Sequence, residues 1–242
     1  MSKLDTTILI PARMESSRFP GKPLAPIEGI PMVVYCAKNA IATGLKTIVC
    51  TDSKEIKSVC ELYDVEAIIT SKCDTGTDRI ALAMNSIDSD FVINLQGDEP
   101  LIDTKSLNYL IDYMEILKSE KNLIIAGVSK IMSDQAFDSN NVKCAIISKN
   151  SNIQYLSRKP LLNSKDKDSS PYFKQLGLYA MSKETLANFH SLEQSKLELA
   201  ENVELLRWLD NENILKGCIM DCESISVDTP EDLVKVIEKL NL

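Results

Sequence analysis

The chain of 242 residues contains a single histidine, His190. One imidazole builds no histidine-based zinc cluster, and a Ser-His-Asp triad would have only that residue to use. A solvated surface position is expected for it. The seven cysteines, at 36, 50, 60, 73, 144, 218 and 222, include no Cys-x-x-Cys pair and make no even disulfide framework. They read as reduced, buried thiols, with Cys218 and Cys222 as same-face positions in or beside a strand. Long apolar runs are also missing: the stretch Thr6–Ile10 meets Pro11 far short of a membrane span. No cationic segment followed by a signal-like apolar core stands at the amino end, so cytoplasmic residence is expected. Basic residues are the scarcer charge, 27 Lys and Arg against 35 Asp and Glu, for a formal charge of −8. That balance argues against holding polyanionic nucleic acid along the surface, while leaving room for a small local anion site.

What is present is ordinary globular material, 44% hydrophobic and 26% charged, enough for one large domain. Short β-branched runs alternate with helical patterns. Strands are expected at Thr6–Ile10, Thr47–Cys50, Glu66–Ile69, Phe91–Leu95 and Leu123–Val128. Helices are expected at Met32–Ala42, Ile56–Leu62, Arg79–Asn85 and Leu107–Leu117. This alternation implies an α/β fold with a mostly parallel central sheet flanked by helices. From about residue 130 to 195 the rhythm becomes β-rich, with a hairpin of Val142–Ile147 and Ile153–Leu156, a polar mobile loop at Asn163–Ser170, and a strand at Lys174–Met181. Helical patterns at Lys183–His190 and Leu197–Asp210 and a strand at Gly217–Met220 follow. The last helix, Thr229–Leu240, starts on a Thr229 cap with Pro230 first in the helix and Asp232 three residues after the cap. The reading is a single domain over 1–242 with 130–195 as an inserted β-rich segment.

Ligands of open α/β sheets gather at the carboxyl ends of strands. There the first strand runs into Pro11–Leu24, which carries Arg13, Arg18 and Lys22 with one acid, Glu15, in an otherwise acidic chain. Ser16 and Ser17 add hydroxyl donors, and Gly21 permits close backbone approach. Guanidinium forks and an ammonium suit a triphosphate, although no Walker A loop and no Gly-x-Gly-x-x-Gly is present. The competing reading is a solvated basic loop. Phe91–Leu95 ends in Gln96-Gly97-Asp98-Glu99-Pro100, delivering Asp98 to the same sheet edge, where it suits Mg²⁺ beside phosphate oxygens. Alternatively, Asp98 and Glu99 merely cap a turn. Asp228, before the last helix, is a second acid able to share that metal.

These segments, with Thr75-Gly76-Thr77-Asp78-Arg79, Ser157-Arg158, Leu176-Gly177-Leu178-Tyr179 and Val227–Leu233, occur in an order that resembles the 3-deoxy-manno-octulosonate cytidylyltransferases, the CMP-Kdo synthetases, and more distantly the CMP-sialic acid synthetases. The resemblance covers essentially the whole chain. It implies a GT-A-like nucleotidyltransferase fold and a homodimer built through the inserted segment. The implied reaction is CTP plus a sugar acid giving CMP-sugar and pyrophosphate, for lipopolysaccharide or capsule synthesis. By position, Arg13 and Lys22 would hold the phosphates with Ser16 and Ser17 beside them, and Thr75, Gly76 and Thr77 would border the cytosine. Asp98 and Asp228 would bind Mg²⁺, while Arg79, Gln96, Arg158, Gln175 and Glu204 would surround the sugar acid.

Two positions depart from the family pattern. Gln175 stands where the family usually has His, and Leu205 replaces the Gln of a Glu-Gln-Leu-Arg run. Both belong to the sugar side, which leaves an amino- or deoxy-variant of the octulosonate open beside ordinary drift. No general base is plain in the sequence, so metal activation of the sugar hydroxyl is expected to do that work. Three rivals remain at this level: a transferase for a nine-carbon acid, a glycosyltransferase, which Gly97-Asp98-Glu99 disfavours for want of Asp-x-Asp, and a catalytically silent nucleotide-binding protein.

Overall fold

The structure, a computed structural model, describes residues 4–131, 143–147, 149–160 and 172–241. Strand β1 (Thr6–Ala12) is apolar on both faces because both are covered: Ile8 and Ile10 enter one core, Leu9 the other, and all three are fully buried. Each such side chain contributes on the order of 1.5–3 kcal/mol. A loop and a single 3₁₀ turn, Lys22–Leu24, lead to a two-stranded ribbon, β2 (Pro26–Ile27) with β3 (Ile30–Pro31). Then follow α1 (Met32–Ile41), β4 (Lys46–Thr51), α2 (Lys54–Leu62), β5 (Ala67–Ile69), α3 (Gly76–Met84) and β6 (Phe91–Leu95). Next come α4 (Thr104–Leu117), β7 (Leu123–Lys130), β8 (Lys143–Ile147), β9 (Asn152–Ser157) and β10 (Phe173–Ser182). The chain finishes with α5 (Lys183–Ser191), α6 (Lys196–Glu201), α7 (Leu205–Asp210), β11 (Ile214–Met220) and α8 (Pro230–Leu240).

Among the described residues, nine strands form one sheet in the order β5-β4-β1-β6-β10-β7-β11-β9-β8. β4 and β6 run parallel to β1, β5 to β4, and β11 to β7, while β10 is antiparallel to both β6 and β7. This is the mostly parallel sheet expected from the alternating pattern. Within the stretch 130–195, however, β10 is a central strand of that sheet, and β8 with β9 forms the hairpin at its edge. The polar loop expected at 163–170 lies outside the described residues.

Several helix boundaries differ from expectation, and two of them show a clear local reason. The pattern at 197–210 is two helices, because Asn202 takes a left-handed conformation (φ 52°) that ends α6; asparagine is among the few residues that accept it readily. Helix α3 starts three residues early because Thr75 caps it, accepting from the Asp78 amide at 3.1 Å and donating to its carboxylate at 2.7 Å. Helix α8 starts as expected, with a complete capping box between Thr229 and Asp232.

Arg207 locks the helical side opposite α1 and α8. Buried to 2% exposure, it forks onto Asp78 at 3.0 and 3.1 Å and onto Glu198 at 2.9 and 2.7 Å, over the Phe189 ring. His190, expected as a solvated side chain, is 42% exposed but also meets Asp78, at 2.9 Å. Burial disfavours ionised Asp78, but hydrogen bonds from Arg207, Thr75 and His190 outweigh it and hold its carboxyl below the usual range. A depressed folded pKa stabilises above the unfolded value of about 3.9 and loses that contribution as pH falls through the lower folded value. Asp78→Asn should therefore flatten the acid limb of a Tm-versus-pH curve. Arg207→Met, which strands two buried carboxylates, should cost about 3–5 kcal/mol in urea denaturation at neutral pH.

Candidate active site

Strands β4 and β5 extend from one side of β1 and β6 from the other, so chain order reverses between β1 and β6. A cavity of about 650 Å³ opens at the carboxyl ends of these two strands, lined also by β10, the break between α6 and α7, and the segment after β11. Its position follows from topology, since the connections after β1 and β6 diverge there and leave a crevice.

The basic loop forms one wall, with Arg13, Ser16, Ser17 and Arg18 lining it. Gly21 takes φ 73° to cap the 3₁₀ turn, a conformation costly for a residue with a Cβ, and this turn carries Lys22 into the cavity. The Lys22 ammonium lies 2.6 Å from Asp98 Oδ2, 3.5 Å from Asp228 Oδ1 and 2.9 Å from the Val227 carbonyl. Arg18 pairs with Asp228 at 3.0 Å. The Val227 amide donates to the Asp98 carbonyl at 2.9 Å, stitching the two acidic segments together. Burial opposes the charge on Lys22, but Asp98 and then Asp228 outweigh it and raise its pKa. Among the described residues no group of three or more His, Cys, Asp or Glu gathers into a metal cage. Two carboxylates converging on one cation suit instead a hard divalent ion that takes its other ligands from phosphates and water.

The residues expected around base and sugar divide into those that line the cavity and those that build its frame. Thr75 and Gly76 line it. Thr77 is fully buried and turns inward, donating to Glu204 through its amide (3.2 Å) and hydroxyl (2.9 Å). Asn94 donates to the Thr77 hydroxyl at 3.0 Å, and Gln96 reaches Asn94 at 3.2 Å and Glu204 at 3.5 Å. Withdrawal from solvent raises the Glu204 pKa against the pull of Thr77. Arg79 borders the cavity, yet its guanidinium is committed to Asp52 (2.7 Å) and Thr70 (2.8 Å). Arg158 reaches the carbonyls of Glu201 (2.9 Å) and Asn202 (3.1 Å), where α6 ends.

Glu99 is a residue of this site that the sequence offered only as a turn acid. It is buried, accepts from the Gly177 amide at 2.9 Å, and bonds the Ser224 hydroxyl. Lys174 donates to the Ser224 carbonyl at 3.0 Å. Strand β10 bulges between Gln175 and Tyr179, which lets the Gly177 carbonyl accept from the Gln96 amide at 2.8 Å. The Gln96–Pro100 turn is thus held by β10 on one side and by the segment before Asp228 on the other. The sequence carries no signal for it, because its partners Gly177 and Ser224 are distant in the chain.

The profile of the family described as Cytidylyltransferase matches residues 7–221. The chain belongs to the cytidylyltransferase family. It is accordingly a nucleotidyltransferase, and its fold is that of this enzyme class. The chain is 39% identical to a protein of Shewanella baltica named 8-amino-3,8-dideoxy-manno-octulosonate cytidylyltransferase, over 98% of this chain and 99% of that one. A relative of the same name from Shewanella halifaxensis is also 39% identical, over 95% of this chain and 96% of that one. Among solved structures, a CMP:2-keto-3-deoxy-manno-octonic acid synthetase complexed with CTP superposes with a TM-score of 0.89 at 30% identity, over 98% of each chain. Among the described residues of this cytidylyltransferase no helix is long and apolar enough to cross a membrane.

Gly177 offers a direct test of how the turn is held. A Cβ there would lie 2.8 Å from Glu99 Cγ and 2.9 Å from Gln96 Cβ, stem atoms that cannot swing aside. Gly177→Ala should cost about 1–3 kcal/mol of stability by overpacking, and should lower nucleotidyl-transfer turnover by shifting Asp98. Thermal melts and initial rates check the two effects separately.

Proposed function

We propose that the protein joins the CMP of CTP to the anomeric hydroxyl of a 3-deoxy-2-ulosonic acid of the octulosonate type, releasing pyrophosphate. The observation that carries this reading is the meeting of Lys22, Asp98 and Asp228, from segments as much as 206 residues apart, at the switch point of a cytidylyltransferase fold. The names of the Shewanella relatives and of the superposed synthetase support the sugar-acid class.

Lys22 and Arg13, with Ser16 and Ser17 beside them, neutralise the triphosphate oxygens. Asp98 and Asp228 would hold Mg²⁺, which when bound would supply Lewis-acid stabilisation of phosphate charge and acidify the sugar hydroxyl. Thr75 and Gly76 border the cytosine, and Thr77 acts one layer behind by orienting Glu204. Gln96, Arg158, Gln175 and Glu204 face the sugar acid, while Arg79 holds the start of α3 through Asp52. The anomeric oxygen forms its bond to the α-phosphorus as the bond to the α–β bridging oxygen breaks, and the hydroxyl proton passes to solvent. A cytoplasmic homodimer built through 130–195 belongs to the same proposal, and sedimentation equilibrium checks the dimer.

Pyrophosphate release from CTP with a panel of sugar acids tests the reaction. Octulosonates should be turned over, and nine-carbon acids should not. Asp98→Asn and Asp228→Asn should each lower the rate by about 10²–10³, and EDTA should stop it until Mg²⁺ is returned. Either variant running at the wild-type rate would remove the metal assignment.

A further inference from the structure

Gln175 and Leu205, the two positions that depart from the family pattern, have different surroundings. Leu205 is fully buried in the same apolar core as Ile80, Phe189 and Trp208, and it does not line the cavity. Gln175 lines the cavity and is only 8% exposed. The question of which sugar acid fits thus narrows to one side chain.

The Gln175 amide is half satisfied. Its Nε2 donates to the Tyr179 hydroxyl at 2.7 Å, while Oε1 is buried and meets no donor among the described residues. A buried acceptor left alone costs about 1–3 kcal/mol, so a ligand that brings a donor to it is favoured over one that does not. The surroundings indicate the kind of donor. The Tyr179 phenol, in direct contact with Gln175, has its pKa pushed well up by burial and then by the negative charges of Glu204, Glu99 and Asp98. Lys22 lies against Asp98, and the Lys174 charge acts on Glu99, but Glu204 forms no ion pair among the described residues. An acceptor oxygen beside a phenol that feels the carboxylates of Glu204, Glu99 and Asp98 suits a cationic donor, whose hydrogen bonds are shorter and stronger than those of a hydroxyl. An ammonium also brings three donors where a hydroxyl brings one.

We propose that Gln175 sets the sugar selectivity of this site: its side-chain oxygen receives an ammonium group of the sugar acid, so that an amino-substituted octulosonate is preferred over the all-hydroxyl acid. This rests on the reading of the cavity as a CTP and sugar-acid site, and it assigns the choice between the two acids to one residue. The conservative replacement Gln175→Glu keeps the shape and an acceptor facing the ligand. Gln175→Leu removes the acceptor.

The test places 8-amino-3,8-dideoxy-manno-octulosonate and 3-deoxy-manno-octulosonate in one reaction with saturating CTP and Mg²⁺. The ratio of the two CMP conjugates, read by mass spectrometry, gives the ratio of kcat/KM. Wild-type enzyme should favour the amino acid by about tenfold or more. Gln175→Leu should bring the ratio near unity, and Gln175→Glu should keep or raise it. A merely structural role would change both rates together and leave the ratio alone. Conjugation of both acids at a ratio indifferent to residue 175, or a wild-type preference for the hydroxyl acid, overturns the inference by itself. Failure of the wild-type enzyme to conjugate either acid would instead bring down the functional reading, and this inference with it.

Discussion

The Lys22 ammonium, shared by Asp98 and Asp228, is the contact on which the rest of the site depends. Its two carboxylates come from segments far apart in the chain, and neither has a reason to approach the other without a cation between them. Like charges this close would raise the energy of the folded state unless screened or paired. The basic loop supplies that charge, and the backbone bond from Val227 to Asp98 fixes the separation. In the proposed reaction these carboxylates would hold the divalent ion, and Lys22 would offset phosphate charge.

The frame around this contact is built from committed polar groups. Thr77, Asn94, Gln96 and Glu204 form a chain of hydrogen bonds in which each member orients the next. Glu99 ties the acidic turn to β10 and to Ser224, and Arg79 ties the start of α3 to Asp52. Buried polar networks are costly when incomplete and rigid when satisfied. Against that background an unsatisfied acceptor at Gln175 stands out as a position left for a ligand.

Several features of the fold were legible in local pattern. The Thr229-Pro230 start of α8, the β-branched runs of β1, β4 and β6, and the strand–helix alternation each depend on neighbours a few residues apart, and each appears in the structure. The same local logic holds at Thr75 and Asp78, whose spacing is that of a helix cap ahead of the apolar pattern. Asn202 was harder. Its left-handed conformation breaks a continuous apolar periodicity into α6 and α7, and periodicity is insensitive to a single backbone reversal.

The sequence by itself determined the class of fold, the basic loop, the two acids and the family, because these are written in residue type and order. Only the tertiary structure decided which of the named side chains are free to meet a ligand. Arg79 and Thr77 are engaged by partners distant in sequence, β10 lies at the centre of the sheet, and Leu205 points into the core while Gln175 faces the cavity. The reason is physical: a side chain's chemistry is intrinsic, but whether its hydrogen bonds are already spent depends on long-range packing. That packing is set by the whole chain burying its apolar surface at once.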